Sequence, residues 1–536
     1  MVLGLPNPHR RFLQKKTAVL KALMRETSEM PAPQKSHSST ALPASQRAAQ
    51  DIPGRALLPK EIHAIFGGLI LAMFLGAVDQ AIVAPVLIGI GVEMQDVGNA
   101  PWIVTAYMLS STAAMPIVGK LSDMYGRKPI LMSALLLVLA GSALCGLAPS
   151  MLTLVVGRPV QGLGGAGLMS LPNMIVADIL SPRERGKYQV YISGTYGLAG
   201  LAGPIIGGLT AQFVSWRWIF LGQLPLVILA MIFCRYSLRH VPLPQKRGRV
   251  DAIGSALMVA ANLCFLLALS WGGRIVPWDS KEIICLFAAT IFFGFVLLRQ
   301  QARSDAPIVP PSIIKNRVVA VTSVAALLVM AVNISFSVFF PIYLETGRDV
   351  SSSSAGLLLA GPLVAIVLGS YLSGQYMRAS GRYRLAPILG SIVAATAAAL
   401  MAIKLNDMGF AALFAMASVI GLGIGAILPP ILVSAQNAVR YDHIGVTTGI
   451  HIFFRALGST LGIAIFTAIV QALTGLSVGM SVHDTALAQD ASQSAAIIFR
   501  DFLVLWSGVL VLSCFVLSLL PEIQFRAKGA AFVEVD

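Results

Sequence analysis

From about residue 62 to residue 520 the chain alternates between long apolar runs and short polar breaks. Fourteen runs stand out, at about 62–91, 101–121, 130–148, 151–180, 188–212, 216–236, 251–271, 281–300, 317–344, 355–375, 386–404, 409–436, 446–472 and 498–520. A stretch of about 20 apolar residues, rising about 1.5 Å each, crosses the hydrocarbon layer of a bilayer. Lipid offers no hydrogen bonds to an open backbone, so these runs are predicted to be helices. A β-barrel would instead show segments of about ten residues in strict alternation, and that alternation is absent from the sequence. The pattern predicts an all-α, polytopic membrane protein with fourteen transmembrane helices.

Composition agrees: 56% of the residues are hydrophobic and 12% charged, and the mean hydropathy is +0.78. The net charge of +15 would fit a nucleic-acid partner, but its distribution excludes that reading. With the N-terminus placed inside the cell, 31 of the 39 Lys and Arg fall on the inner side. Six fall outside (Arg217, Arg274, Lys281, Arg348, Lys404 and Arg500), and Arg158 and Arg455 lie within spans. Basic residues enriched on one side mark the cytoplasmic face, so both termini are expected there, in a cell membrane and most readily a bacterial inner membrane. The five cysteines show no CxxC or metal-ligand spacing and read as small packing residues.

Residues 1–60 are polar, Pro/Ser-rich and basic, and are expected to form a disordered cytoplasmic tail. No apolar segment follows the early charges as a cleavable signal would require; a start codon set too far upstream, with Met24 or Met30 as the true start, remains an equal reading of this tail. Two internal matches define the rest. "GKLSDMYGRKP" (119–129) is echoed by "GQYMRASGRYR" (374–384), and "GLGGAGLMSLP" (162–172) by "GLGIGAILPP" (421–430). Repeated halves around a central site are a transporter architecture. The expected organisation is a six-helix bundle over 61–236, an inserted helix pair with flanking loops over 237–316, a second six-helix bundle over 317–520, and a short cytoplasmic tail over 521–536.

The chain resembles the fourteen-span drug:proton antiporters of the major facilitator superfamily. The resemblance covers about residues 62–520 and rests on "GKLSDMYGRKP", "VVGRPVQGLGGAG", "AGPIIGG", "SWRWIFL", "VDAIGSAL" and "GVTTGIHIFFRALGSTLGIAIF". It implies two halves that rock about a cavity, with a gate at Gly119, Asp123, Gly126, Arg127 and Lys128, and an antiport motif at Gly203, Pro204, Gly207 and Gly208. The sequence departs from the family where "VDQAIVAPV" carries Ala81 and Ala84 in place of Thr and Asn, where Gln223 replaces a common Asn, and where Glu345 replaces a common Gln. These departures bear on the substrate more than on the fold.

Read from the residues alone, Asp123 is an acid in a basic loop, where it has no topological use, and a gate is the favoured reading. Arg127 and Lys128 fit topology, or binding to lipid phosphates or carboxylates, equally well. Arg158 lies about 10 Å below the outer surface by helical rise, where a charge costs about 3 kcal/mol on insertion scales. Asp79, about 25 Å from the inner surface, is at a similar depth and is its natural partner. A buried carboxyl beside a guanidinium can exchange a proton; a static ion pair is the plainer alternative. Gln161 shares the face of Arg158, and His451 that of Arg455. The pair on the thirteenth run fits proton relay or substrate binding, or a polar helix contact. In the span-5 motif the glycines let backbones approach and Pro204 bends the helix. Trp102 and Tyr107 are placed at the pore or at the membrane interface, Glu345 and Arg348 at the outer rim, and Gln436 and Asn437 at the end of the twelfth run.

No phosphate-binding GxxxxGK[ST] occurs, so ATP is not the expected energy source, and no cofactor is expected. The reading is a non-enzymatic, monomeric, proton-coupled exporter of amphipathic small molecules or drugs. Export of one metabolite, such as a siderophore or antibiotic, is the alternative within transport, and a non-transporting membrane sensor the alternative outside it.

Overall fold

The computed structural model describes residues 59–240, 251–273, 275–304, 306–474, 485–522 and 525. The expectations for residues 1–58 and for the end of the chain lie outside the described residues. Fourteen long helical segments follow one another: α1 (Pro59–Ile82, prolonged by Ala84–Val86 and Leu87–Glu93), α2 (Pro101–Tyr125), α3 (Arg127–Gly146), α4 (Met151–Ile179), α5 (Pro182–Phe213), α6 (Arg217–Leu221 and Gln223–Ser237), α7 (Ala252–Trp271), α8 (Lys281–Arg303), α9 (Arg317–Arg348), α10 (Ser352–Ser380), α11 (Leu385–Lys404), α12 (Phe410–Asn437), α13 (Ile444–Thr474) and α14 (Thr485–Ser518). Among the described residues there is no strand, only an isolated bridge between Gly272 and Val276. The fold is all-α.

Thirteen of the described segments are long and apolar enough to cross a bilayer. The fourteenth, α4, is diluted by glycines, Arg158 and Asn173, yet it is the most enclosed: 21 of its 29 residues are buried. Neighbouring helices, not lipid, solvate it, so its lower hydropathy carries no penalty.

Local chemistry sets the helix starts. Ser181 and Glu184 close a capping box at α5, while Ser150, Asp251, Ser280 and Asn316 cap α4, α7, α8 and α9 with their side chains. The first apolar run is not one helix as expected. It breaks at the 3₁₀ turn Ala84–Val86, where Pro85 cannot donate to the helical ladder. The last helix begins at Thr485 rather than near residue 498, because its polar first turns are free to stay helical outside the apolar stretch that runs from Ala495 to Ser518.

The packing repeats with an offset of eight helices. In the first half α1 packs on α4, α5 and α6, while α4 packs on α2 and α3, and α3 on α6. The second half has the same pairs: α9 with α12, α13 and α14, α12 with α10 and α11, and α11 with α14. Each half has its own apolar core. The second is aromatic, with Phe336, Phe339, Phe466, Phe499 and Phe502 arranged around a fully buried Trp506. The halves meet along two equivalent seams, α2 with α13 and α5 with α10.

The inserted pair α7–α8 lies beside α2 and α13. Only 6% of the apolar window of α8 is buried, as suits a helix facing lipid. Asp251 ties the pair together, accepting from Gly254 N–H and from the Gln300 and Gln301 amides, each at 2.8 Å. Burial alone would push its carboxyl up, but these donors outweigh it and hold the group below the usual carboxylate range.

Candidate functional site

Asp79, Arg158, Gln161, Ser142 and Gln223 come from α1, α4, α3 and α6 and form one buried knot. The Arg158 guanidinium donates to Asp79 at 3.3 Å, to the Gln161 carbonyl at 2.7 Å and to the Ile103 backbone carbonyl at 2.8 Å. Asp79 Oδ1 also accepts from the amides of Gln161 at 2.8 Å and Gln223 at 2.9 Å. Ser142 links the two glutamines. Tyr107 is 2% exposed and lies under the guanidinium, 4.4 Å from ring centroid to charge centre, with Phe220 at 5.7 Å. The guanidinium Nε and one terminal nitrogen are hydrogen-bonded and its charge centre lies over two rings, which suits a buried charge.

The sequence brought Asp79 and Arg158 to similar depth; the structure makes them partners and adds Gln161 and Tyr107. Reasoning from the sequence missed Ser142 as a member. Gln223 was visible only as a departure from a family pattern, and its role is to hold Asp79.

A second polar cluster closes the seam at the face that carries the basic loops. Asp123, at the end of α2, accepts from the backbone N–H groups of Gly445 at 2.9 Å and Val446 at 2.8 Å. A carboxylate of one half thus caps the N-terminus of α13 in the other, satisfying free donors and the positive helix end. Arg127 bridges Asp123 and Asp178, each at 2.7 Å, and donates to Ser122 at 2.6 Å. It is 6% exposed, so it serves this network rather than lipid phosphates. Lys128 joins no ion pair among the described residues. Gly126 holds φ 97°, a value that favours glycine, and turns the chain from α2 into α3. Gly119 lies so close to α13 that a Cβ there would sit 2.4 Å from the Gly445 carbonyl oxygen.

The other seam is its counterpart. A Cβ on Gly374 would sit 2.0 Å from the Gly186 carbonyl oxygen. The position matching Asp123 carries Arg378, so no acid caps here. Instead Arg185 of α5 donates to Gln436 of α12 at 3.2 Å, and Gln436 donates to Thr448 at 2.9 Å and to the Asn173 carbonyl at 3.4 Å. Gln436, read from sequence as a helix end, is therefore a contact between halves, and Asn437 is buried beside it. Higher up, Ser193 donates to Ser370 at 2.9 Å.

The remaining predicted residues are spread more widely. Gly203 and Gly207 of α5 admit α1: a Cβ at either would strike Ala81 at 2.6 Å or the Ile82 carbonyl oxygen at 2.3 Å. Gly208 has open space around its Cβ position and makes no close approach, contrary to expectation, and Pro204 faces outward. Trp102 stacks edge-on against Trp271 of the inserted pair at 5.8 Å. Arg348 is turned to the Tyr343 hydroxyl and the Leu405 carbonyl, and Glu345 is exposed. His451 is fully buried with neither ring nitrogen partnered, and the Arg455 Nε is likewise unpartnered. The Arg455 guanidinium faces the Tyr196 ring of the first half at 5.8 Å.

The profile of the Major Facilitator Superfamily matches residues 69–463. The chain belongs to the major facilitator superfamily. The multidrug transporter protein MdtP of Bacillus subtilis is 31% identical over 412 residues, which are 76% of this chain and 75% of that one. Multidrug resistance protein 3 of the same organism is 31% identical over 405 residues, 74% of this chain and 78% of that one. Among solved structures, the human organic anion transporter MFSD10 aligns with a TM-score of 0.59 over 86% of this chain and 100% of that one. At 15% identity that likeness speaks for the fold alone. The chain is a transporter of small molecules.

Proposed function

We propose that this transporter exports amphipathic small molecules, that protons moving inward drive the export, and that its two halves rock so that the site between them opens to one side at a time. The observation that carries the reading is the placement of Asp79. It is 2% exposed, lies within an apolar span, and is bound to a cation on another helix. A charged pair at this depth is costly, and apolar packing would hold the helices as well. A carboxyl whose hold on a proton depends on a movable guanidinium is the component that coupling requires.

The two relatives named for multidrug transport favour breadth of substrate. Rocking is favoured by seams made of glycine contacts and a few polar bonds, which separate more readily than a continuous apolar interface. The cross-half bonds at Asp123 and Arg185 gather at the basic face, so this conformation is closed towards the cytoplasm. In this reading the protein works as a monomer in the cell membrane with both termini inside.

Two measurements test the proposal. In proteoliposomes, an imposed pH gradient drives accumulation of a fluorescent drug such as ethidium, and collapsing the gradient with an ionophore stops it. Equal accumulation with and without the gradient would overturn proton coupling. A reporter active only outside the cell, fused after Asp536, gives no signal; a strong signal there reverses the orientation.

A further inference from the structure

We infer that the junction between the halves holds a binding site for the anionic group of an amphipathic organic carboxylate, built by Arg455 and His451 of α13. This names a substrate class for the transport reading above and rests on that reading.

Three orphaned polar groups lie along one face of α13. Thr447, His451 and Arg455 follow one another at helical spacing of four, rising from the seam towards the middle of the helix. The Thr447 hydroxyl, both His451 nitrogens and the Arg455 Nε are buried without hydrogen-bond partners. Asn173 Oδ1 on α4, across the junction, is also unpartnered. Buried polar groups are nearly always satisfied, so a file of three on one helix face points to a ligand or water that completes them.

Charge decides which ligand. The guanidinium of Arg158 is matched by Asp79, but the guanidinium of Arg455 has no ion pair and no hydrogen bond among the described residues. Its contact is the Tyr196 ring, which steadies a cation without using its N–H donors.

No acid is left to neutralise it. Asp123 and Asp178 are held by Arg127. Glu184 is used in the α5 cap. Asp501 is 46% exposed beside Arg500. The only acid of α9 away from its first turn is the exposed Glu345 near its far end, and α10–α13 carry none. Among the described residues, the Arg455 guanidinium therefore meets no acid at the contact between the halves. A carboxylate can take the guanidinium edge in paired charge-assisted bonds, with the imidazole and the Thr447 hydroxyl as further donors, and its apolar body against the neighbouring Phe453 and Ile452.

The test uses the full chain in nanodiscs, without any gradient, by equilibrium dialysis against naphthalene-2-carboxylate and against 2-naphthyltrimethylammonium, with empty nanodiscs subtracted. The two probes share a ring system and differ in charge. Wild type is expected to bind the carboxylate at least about tenfold more tightly, the range of one charge-assisted hydrogen bond. Arg455→Gln should bring the two probes to within about twofold. Arg455→Lys keeps the charge but loses the planar fork; its carboxylate affinity should fall about tenfold with ammonium binding unmoved.

Equal binding of both probes by wild type, or no binding of either beyond empty nanodiscs, overturns the site and leaves water as the occupant. A charge preference that survives in Arg455→Gln, or carboxylate binding undiminished in Arg455→Lys, also overturns it. Carboxylate preference without any gradient-driven accumulation of naphthalene-2-carboxylate beyond that of empty liposomes sinks the proton-driven reading and leaves the anion site standing.

Discussion

Asp79→Asn is expected to abolish gradient-driven transport and to destabilise the protein by about 3 kcal/mol, the range seen when one partner of a buried ion pair is removed. The substitution keeps the shape and one acceptor but removes the charge that balances Arg158. That guanidinium would be left with neutral partners alone, the Asn, Gln161 and Ile103 carbonyls and the Tyr107 and Phe220 rings. Arg158→Gln should cost less stability, because Asp79 retains the donors Gln161 and Gln223 and a carboxyl left without its cation can take up a proton and become neutral. The double variant Asp79→Asn with Arg158→Gln should lose less stability than the sum of the two, since neither charge is left alone. It should nonetheless fail to couple drug movement to a pH gradient. Thermal unfolding in detergent and ethidium uptake into proteoliposomes measure the two effects. Additive stability losses would show that the contact contributes nothing as a pair. Gradient-driven uptake by the double variant would reduce Asp79 to a structural residue.

The second large effect is expected at the seam. Asp123→Asn removes the charge that caps α13 and that Arg127 braces. Charge-assisted bonds of this kind are worth about 1.5–3 kcal/mol, so the balance between closed and open seams should move about ten- to a hundredfold towards open. Spin labels at positions 128 and 440, on opposite sides of the seam, should report a longer distance as the dominant population, and transport should fall at least about tenfold in step with that shift. Gly119→Leu tests the same seam by different chemistry. Its Cβ would sit 2.4 Å from the Gly445 carbonyl oxygen, so the helices cannot reach their present contact. Both variants should open the same face. A seam that stays closed in Gly119→Leu, or wild-type transport in Asp123→Asn, would refute the gate.

Several properties of this protein were written in the order of its residues. Thirteen of the spans were legible because lipid imposes one local rule, about 20 apolar residues with few charges. The proposed orientation rests on loop charges in the same way. Arg158 and Asp79 were conspicuous because an ionised group among apolar neighbours is expensive wherever its helix goes. The repeat was visible in Gly126 and Gly381, both of which hold positive φ, a backbone need that glycine meets in any context.

What the tertiary structure decided is which distant groups meet. Asp123 caps backbone donors more than 300 residues further along the chain, with separations of 322 and 323 positions; backbone N–H groups carry no side-chain signature, so no sequence pattern could name them. Ser142 and Gln223 are ordinary polar residues until α3 and α6 carry them to Asp79. Gly208 has the same motif spacing as its neighbours but points into open space, because a helix face is fixed by rotation about its axis and not by composition. Trp102 meets Trp271 only because the inserted pair lies beside α2. Arg455 is the sharpest case. The sequence marks it as costly, and only the assembled halves show that no carboxylate among the described residues reaches it. An ion pair is a fact about two helices, and hydrophobic periodicity describes one helix at a time.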